Sequence, residues 1–439
     1  MKFWGVSSIL FLILLVLKEI RAGKEENGWV TTQGVQFMLN GSPFYSNGFN
    51  AYWLMVVAYD VKERSKVTEV FKQAQMYNLT IVRTWAFNDN PGNFSLQSSP
   101  GVYDQTMFQG LDYVISEAGK YGIKLILSLV NNYDDYGGKK QYVRWVYPDR
   151  NLSAVSNASD EFFTDENVKQ LYKNHVQAVL TRNNTISGVV YKDDPTIMAW
   201  ELMNEPRCPS DVSGNTLKKW IAEMAGYLKS IDANHLLEVG LEGFYNPSNG
   251  YKNQGLPYYQ VGTDFISNNQ IPEIDFTTAH LYPIAWLRNG SSDEEQVEFL
   301  KKWIKVHIDD AQNTTLLHKP MLLAEFGKHE QDPGYSVAKR DNFMRTAYTA
   351  MYSSAKAGGA AAGSLFWQIM VEGLPNYKDG LSIILSQNTS TNYIIYEESQ
   401  RLAELSKMYA MLKNEEWKKM KKNTKGATAR EIHGNGNGN

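Results

Sequence analysis

The sequence contains a single cysteine, Cys208, among 439 residues. One thiol excludes an intramolecular disulfide, so the fold must be stabilised by its apolar core and not by cross-links. The 7 histidines are scattered, and no group of residues has the spacing of metal ligands, so neither a metal nor a cofactor is expected. Hydrophobic residues make up 43% of the chain, which is enough for one large domain.

The chain also lacks an excess of basic charge, because 44 Lys and Arg oppose 47 Asp and Glu, for a net charge of -3. Without a basic stripe, nucleic acid is not an expected partner. Two sequence signatures are missing as well. No Gly-rich turn follows the first predicted strand, which disfavours a dinucleotide-binding open sheet, and no Gly-x-Ser-x-Gly segment marks a serine hydrolase.

The apolar run at the N-terminus, residues 9–17, is shorter than the ~20 residues that cross a bilayer. Basic residues flank it and the small residues Ala22 and Gly23 follow it, a pattern typical of a secretory signal peptide. We therefore expect residues 1–22 to be removed and the mature protein to be secreted, with no membrane association. A membrane anchor is the alternative interpretation.

Asn-x-Ser/Thr sequons support export and predict N-glycosylation. They begin at Asn40, Asn78, Asn93, Asn151, Asn157, Asn183, Asn289, Asn313 and Asn388.

The order of predicted elements indicates one α/β domain. Residues 28–46 alternate apolar and polar around Asn40 and Gly41, which predicts a hairpin that closes the bottom of the domain. Eight short β-rich runs then alternate with stretches of helical spacing, such as 107–121 and 217–231, and this predicts a single (β/α)8 barrel. An open doubly wound sheet is the competing architecture. The predicted strands cover residues 48–54, 80–87, 123–130, 196–203, 236–241, 275–282, 321–326 and 364–369.

The predicted catalytic domain spans residues 23–416. From Trp417 the chain becomes basic and then ends in Gly-Asn repeats. Such a segment contributes little to a core, so residues 417–439 are predicted to form a disordered tail.

Two carboxylates stand at the ends of predicted strands, where the active site of a (β/α)8 barrel lies. Glu205 follows the fourth strand, and Glu325 lies at the end of the seventh. Glycoside hydrolysis requires two carboxyl groups that flank one bond, and this pair supplies them. A structural salt bridge is the alternative for each carboxylate. For Glu201, inside the fourth strand, the salt bridge is the preferred interpretation.

Other strand ends carry groups that suit the same chemistry. The permanent charge of Arg83, on the second strand, would keep a nucleophilic carboxylate ionised. His280 and Tyr282 are two residues apart on the sixth strand and therefore point to one face. Trp367, on the eighth strand, offers a flat surface for a sugar ring. Each residue alone is more often structural, but together they predict one site.

The segments RTWAFND, AWELMNEPRC, HLYP and LLAEFG, with NNYDDYGGKKQY at 131–142, resemble the plant-type endo-β-1,4-mannanases of glycoside hydrolase family five. The resemblance runs from about Trp29 to about Leu412. It implies a retaining mechanism with Glu205 as acid/base and Glu325 as nucleophile. The implied substrates are mannan, galactomannan and glucomannan of cell walls. The substrate-binding residues implied are Arg83, Trp85, Asn204, Arg207, His280, Tyr282 and Trp367, with Trp286 a weaker match.

The sequence departs from this family at Tyr133 and Tyr136, where the relatives usually have Trp and Phe. Three alternatives to a mannanase stay open: an endo-β-1,4-glucanase on the same scaffold, a mannan transglycosylase, and a catalytically silent carbohydrate-binding barrel. The presence of both carboxylates and their supporting groups argues against the silent barrel.

Overall fold

Eight parallel strands form one sheet that curls into a nearly closed barrel, in a computed structural model that describes residues 28–92, 94–152, 157–256, 260–288 and 290–433. The strands are β1 (Ser46–Asn50), β2 (Ile81–Trp85), β3 (Lys124–Ser128), β4 (Ile197–Glu201), β5 (Leu236–Glu238), β6 (Thr277–Leu281), β7 (Met321–Phe326) and β8 (Ala361–Phe366). Their order in the sheet is β5-β4-β3-β2-β1-β8-β7-β6.

Backbone hydrogen bonds join the two end strands of this sheet. The Asp275 N–H donates to the Leu237 carbonyl at 2.8 Å, and the His280 N–H donates to the Glu242 carbonyl at 3.0 Å. The predicted (β/α)8 barrel is therefore confirmed, and the open doubly wound sheet is excluded.

Helices follow the strands and cover the outside of the barrel. They are α1 (Leu54–Tyr59), α2 (Arg64–Met76), α3 (Gln105–Lys120), α4 (Gly138–Val146), α5 (Glu166–Leu180), α6 (Asn215–Ile231), α7 (Phe265–Asn269), α8 (Pro283–Trp286), α9 (Asp293–Gln312), α10 (Val337–Lys356) and α11 (Ser390–His433). Helix α3 illustrates how the sequence specifies them. The Asp104 carboxylate caps its N-terminus by accepting hydrogen bonds from the N–H groups of Thr106 and Met107.

The N-terminal segment forms a three-stranded antiparallel sheet at the bottom of the barrel. Its strands are Val30–Gln33, Gln36–Leu39 and Ser42–Pro43, so a second turn precedes the one predicted at residues 40–41. Phe37 packs edge-on against Phe276 with 5.1 Å between ring centroids, among the first residues of the barrel strands. The sheet thus closes the barrel end opposite the predicted active site.

Two strand boundaries differ from the prediction for identifiable reasons. Strand β1 ends at Asn50, because the apolar residues that follow turn into helix α1. Strand β8 begins at Ala361, three residues before its predicted start, in an Ala-Ala-Gly segment without the branched side chains that mark strands. Gly363 is required there, since a Cβ atom would lie 2.4 Å from the Ser46 carbonyl oxygen on β1.

The chain ends differ in what the structure describes. The predicted signal peptide, residues 1–22, and the final Gly-Asn repeat, residues 434–439, lie outside the described residues. Helix α11 continues to His433 and so includes residues 417–433, which the sequence predicts to be a disordered tail; five of these residues are Lys, a good helix former. Among the described helices, none combines the length and the apolar composition that a membrane crossing requires.

Candidate active site

A cleft of about 400 Å³ opens at the C-terminal ends of the barrel strands. The position agrees with the rule that loops after the strands build the active site of this fold. Its lining consists of Trp85, Asn131, Tyr133, Asp135, Asn204, Glu205, Arg207, Glu242, Tyr282, Ala285, Trp286, Glu325, Trp367 and Leu381.

Glu205 and Glu325 face each other across this cleft, and a carboxylate oxygen of one lies within 4.8 Å of a carboxylate oxygen of the other. Glu205 follows β4 with a φ of 49°, a left-handed conformation that is uncommon outside glycine, and its N–H donates to the Gly240 carbonyl at 2.9 Å. Glu325 is the penultimate residue of β7. The separation suits a retaining glycosidase, whose carboxyl groups lie ~5–5.5 Å apart, and is too short for an inverting one.

Arg83 lies directly behind Glu325 and is fully buried. Its Nη1 donates to Oε1 of Glu325 at 2.6 Å. Its other edge binds both oxygens of Glu201, at 2.5 Å from Nε and 2.8 Å from Nη2, and Nη2 also donates to Oδ1 of Asn204 at 2.6 Å. The salt bridge preferred for Glu201 is therefore confirmed, and it orients the guanidinium toward the cleft.

Hydrogen-bond donors distinguish the two carboxyl groups of the cleft. Burial raises the pKa of Glu325, but Arg83 opposes that rise, as does the Tyr282 hydroxyl, which donates to Oε2 of Glu325 at 2.8 Å. Burial also raises the pKa of Glu205, and Arg207, the Tyr133 hydroxyl and Arg83 oppose that rise, but the hydrogen bond from Arg83 goes to Glu325. Since two carboxyl groups this close do not both ionise readily, the geometry assigns the charge to Glu325 and the proton to Glu205.

His280 contacts Glu205 from inside the barrel, with 2.6 Å between Nδ1 and Oε1. Burial lowers the pKa of this histidine, so the ring is neutral and offers one donor and one acceptor. A protonated Glu205 can donate to Nδ1, and an ionised Glu205 can accept from it. The histidine therefore fits both protonation states of Glu205.

Aromatic rings form one wall of the cleft. The Trp367 ring stacks on Tyr52, with 5.8 Å between centroids and 9° between planes, and Tyr52 contacts Trp85 at 4.9 Å. The Trp367 indole N–H donates to Oδ2 of Asp379 at 2.6 Å, which fixes the rotation of the indole. The sequence predicted both tryptophans but missed Tyr52 and Asp379, which lie on loops without a recognisable motif.

An ion pair lines the side of the cleft opposite the aromatic wall. Arg207 binds Glu242 through Nε at 2.7 Å and Nη2 at 2.5 Å, and its guanidinium lies 5.8 Å from the centre of the Tyr133 ring. Burial and the neighbouring Glu205 carboxyl raise the pKa of Glu242 to about 7, although Arg207 opposes the rise. Sequence reasoning missed Glu242, even though it lies just after β5 much as Glu205 lies just after β4.

The structure brings the residues predicted from the sequence together, with one refinement. Arg83 and His280 do not line the cleft, because they lie behind Glu325 and Glu205 and act through them. Trp286 lines the cleft and also packs on Phe244 in the core.

Within the described part of the chain, Glu205, His280 and Glu325 form the group whose atoms have the spacing of metal ligands. The permanent charge of Arg83, 2.6 Å from Glu325, disfavours a second cation at this place. The arrangement suits proton transfer and nucleophilic attack better than metal binding.

A barrel with a buried carboxyl pair at retaining distance, flanked by an aromatic wall, defines a glycosidase of the (β/α)8 class. The model of the β-mannosidase-like proteins of glycoside hydrolase family 5 matches residues 27–380, and the chain belongs to that family. The family predicted from the sequence is thereby confirmed.

Individual relatives agree with this assignment. The chain is 55% identical over 393 residues to mannan endo-1,4-beta-mannosidase 7 of Arabidopsis thaliana, covering 89% of this chain and 90% of the relative. It is 51% identical to mannan endo-1,4-beta-mannosidase 1 of Oryza sativa subsp. japonica, covering 92% and 93%. The solved endo-1,4-beta-mannanase of Rhizomucor miehei superposes with a TM-score of 0.71 at 31% identity, over 86% of this chain and 99% of that one.

Proposed function

We propose that this protein hydrolyses internal β-1,4-mannosidic linkages of mannan, galactomannan and glucomannan with retention of anomeric configuration. The observation that carries the proposal is the pair Glu205 and Glu325, with carboxylate oxygens within 4.8 Å in an open cleft. The names of the plant relatives support mannan as the substrate class. An open cleft also suits internal cleavage, because a long chain can lie across it.

In the first step, ionised Glu325 attacks the anomeric carbon while protonated Glu205 donates its proton to the departing glycosidic oxygen. The bond between the anomeric carbon and the leaving oxygen breaks as the bond to Glu325 forms. A covalent mannosyl-enzyme results. Arg83 and Tyr282 hold both oxygens of Glu325 before attack, so the nucleophile is already oriented.

In the second step, Glu205 acts as a base toward water. Bond formation removes the negative charge on Glu325, so the repulsion that raised the pKa of Glu205 decreases and Glu205 remains ionised until it takes a proton from water. The water oxygen attacks the anomeric carbon and releases Glu325. His280 supports this change, because its ring can donate to Glu205 once Glu205 is ionised.

Asn204 and Trp367 are the groups proposed to hold the sugar at the cleavage point. Asn204 accepts from Arg83 and donates one amide hydrogen to Asn131 at 3.0 Å, which leaves its second amide hydrogen for the 2-hydroxyl. That bond would tighten in the transition state. Trp367 would stack beneath the ring.

The same proposal includes secretion into the cell wall and N-glycosylation. It is supported by the signal-peptide pattern at residues 1–22 and by sequon asparagines on the surface. Asn78 is half-buried, and Asn93 and Asn289 lie outside the described residues. The exposed sequon asparagines are Asn40, Asn151, Asn157, Asn183, Asn313 and Asn388. Mass spectrometry of glycopeptides from protein secreted by plant cells tests this part.

The activity is tested by incubating the purified protein with mannan, galactomannan, glucomannan and cellulose, and by following reducing ends and the anomer first formed. We expect cleavage of the three mannans with the β anomer first, and none with the Glu325→Ala variant, which still binds mannan oligosaccharides. Release from cellulose alone would establish the glucanase instead. Transfer to added oligosaccharide acceptors in preference to water would establish the transglycosylase.

A further inference from the structure

A third carboxyl group, that of Glu238, lies beside the salt bridge that orients the nucleophile. Glu238 on β5 is in direct register with Glu201 on β4, and both residues are fully buried. Side chains in register on neighbouring strands lie on the same face of the sheet. Glu238 does not line the cleft, so it cannot contact a substrate.

Only one of the two carboxyl oxygens of Glu238 accepts hydrogen bonds from donors in the described part of the chain. Oε2 accepts from the Gly240 N–H and from the Thr278 hydroxyl at 3.0 Å. Oε1 has no donor among the described residues. The Glu238 carboxyl is within hydrogen-bond reach of the carboxylate of Glu201, whose two oxygens both accept from Arg83. A proton on Oε1 of Glu238 would satisfy that oxygen through a bond to Glu201.

The number of charged groups around Arg83 also indicates that Glu238 is protonated. Three buried carboxyl groups, those of Glu201, Glu238 and Glu325, surround one cation, Arg83. An uncompensated carboxylate in a water-free interior is costly, and such a group retains its proton instead. Burial raises the pKa of Glu238 well above its ordinary value, and the charge of Glu201 raises it further. Arg83 holds the pKa of Glu201 down to about 2 against the effect of burial, so the shared proton belongs to Glu238.

We infer that Glu238 is a neutral carboxylic acid that donates a hydrogen bond to Glu201 and is thereby a positioning residue for the nucleophile Glu325. The order of contacts is Glu238 to Glu201, Glu201 to Arg83, and Arg83 to Glu325. The bond from Glu238 satisfies part of the accepting capacity of Glu201 and limits how strongly Glu201 draws the guanidinium away from Glu325. The positioning role rests on the function proposed above, whereas the protonation of Glu238 does not.

Gly240 keeps the Glu238 carboxyl in this orientation. Its φ is 92°, and a Cβ atom there would lie 1.9 Å from the Met203 carbonyl oxygen and 3.1 Å from Cδ of Glu201. The backbone N–H of this glycine can therefore approach Oε2 only because the side chain is missing. That bond leaves Oε1 as the oxygen that carries the proton.

Two variants separate a neutral Glu238 from an ionised one. Glu238→Gln preserves the bonding, because its amide N–H₂ donates to Glu201 and its carbonyl accepts from Gly240 and Thr278. Glu238→Met removes the donor at similar volume. We expect Glu238→Gln to retain kcat on mannan to within about threefold with the acidic limb of the pH profile in place. Glu238→Met should lower kcat at least about tenfold with KM little changed, and should move the acidic limb to higher pH.

A matched control is Glu398→Met, which removes another fully buried carboxyl group that lies on α11, outside the cleft. It should leave the acidic limb unmoved. If Glu238 is ionised, Glu238→Gln removes a negative charge near Glu325 and moves the acidic limb to lower pH, and that outcome overturns the inference. So does a Glu238→Met variant that is folded and has the native kcat and acidic limb.

Difference infrared spectroscopy detects the proton on Glu238 and does not depend on catalytic activity. At pH 7 the wild-type protein and Glu205→Gln should both have the carbonyl stretch of a protonated carboxyl group that Glu238→Gln lacks. Absence of that band difference overturns the inference. If the band is present but mannan is not cleaved, the proposed function fails while the protonation of Glu238 stands, so the two failures are distinguishable.

Discussion

Arg83 and Glu325 form a hydrogen-bonded ion pair with 2.6 Å between Nη1 and Oε1, and both side chains are buried. Arg83 has a second carboxylate partner, because the far edge of the same guanidinium binds both oxygens of Glu201. A planar group held on two edges cannot rotate away from the carboxylate it faces. The position of Glu325, the proposed nucleophile, is therefore fixed by Arg83, which does not itself line the cleft.

Arg83→Lys should impair catalysis, because an ammonium lacks the planar fork that binds both oxygens of Glu201 while a further N–H binds Glu325. Each lost hydrogen bond to a charged group is worth ~1.5–3 kcal/mol, so kcat/KM on mannan should fall by roughly 100-fold. The loss should appear mainly in kcat. Steady-state kinetics on a defined mannan oligosaccharide measures both parameters.

The matched control is Arg182→Lys, which breaks a bidentate contact with the Asp112 carboxylate outside the cleft. Both variants should lose stability in thermal unfolding, but only Arg83→Lys should lose turnover. Unchanged turnover in a folded Arg83→Lys protein would contradict the orienting role.

The site residues at the ends of strands could be predicted from the sequence. The alternation of strands and helices locates those ends, and closure of the barrel brings them together. Glu205, Glu325 and Trp367 were found in this way. Tyr52 and Asp379 were not, because loop conformation decides where they point.

The partners of buried charges could be predicted only in part. The salt bridge of Glu201 was expected because a carboxylate inside a strand requires a partner. The register between Glu238 and Glu201 is a property of the assembled sheet, and no local pattern in β5 indicates it.

Tyr133→Phe should move the alkaline limb of the pH profile to higher pH. The Tyr133 hydroxyl interacts with the Glu205 carboxyl and favours its charged form, so it holds the pKa of Glu205 below the level that burial alone would set. Without the hydroxyl, Glu205 keeps its proton to higher pH. The midpoint of the alkaline limb of kcat/KM should therefore shift to higher pH by about 0.5–1 pH unit.

The acidic limb, which we attribute to the proposed nucleophile Glu325, should stay in place in Tyr133→Phe. Tyr136→Phe removes a hydroxyl that contacts Tyr52 and not Glu205, so it should leave the alkaline limb unmoved. A Tyr133→Phe profile that coincides with the wild-type profile would refute a role for this hydroxyl in the ionisation of Glu205.

Asp379→Ala should weaken the aromatic wall without touching a carboxyl group of the cleft. Oδ2 of Asp379 is the acceptor for the Trp367 indole N–H at 2.6 Å, and its loss frees the indole to rotate. We expect kcat/KM to fall about tenfold, since a hydrogen bond to a charged acceptor is worth ~1.5–3 kcal/mol. Ser382→Ala removes the bond to Oδ1 and the bond that the Ser382 hydroxyl accepts from the Asp379 N–H, but it keeps the bond to the indole and should have a much smaller effect. Equal losses in the two variants would indicate a general loosening of the loop.

Glu398→Gln should make the protein more stable at neutral pH. Glu398 on α11 is buried and neither oxygen has a hydrogen-bond partner within the described residues, although Arg401 lies 3.2 Å away. Burial raises the pKa of Glu398 from 4.5 to about 8. Because the folded state keeps a proton that the unfolded chain releases, this contribution is fully present below pH 4.5 and is lost as the pH rises toward 8. Between pH 4.5 and pH 7 the loss amounts to about 3 kcal/mol.

The glutamine variant carries no such proton, so its free energy of unfolding should fall less than that of the wild-type protein over this range. Urea unfolding at pH 5 and pH 7.5 measures the difference. The control is Glu404→Gln on the same helix, whose side chain is exposed, and which should keep the wild-type pH dependence because an exposed charge contributes little to stability. A Glu398→Gln protein with the same pH dependence as the wild type would mean that Glu398 is ionised in the folded state and would contradict this prediction.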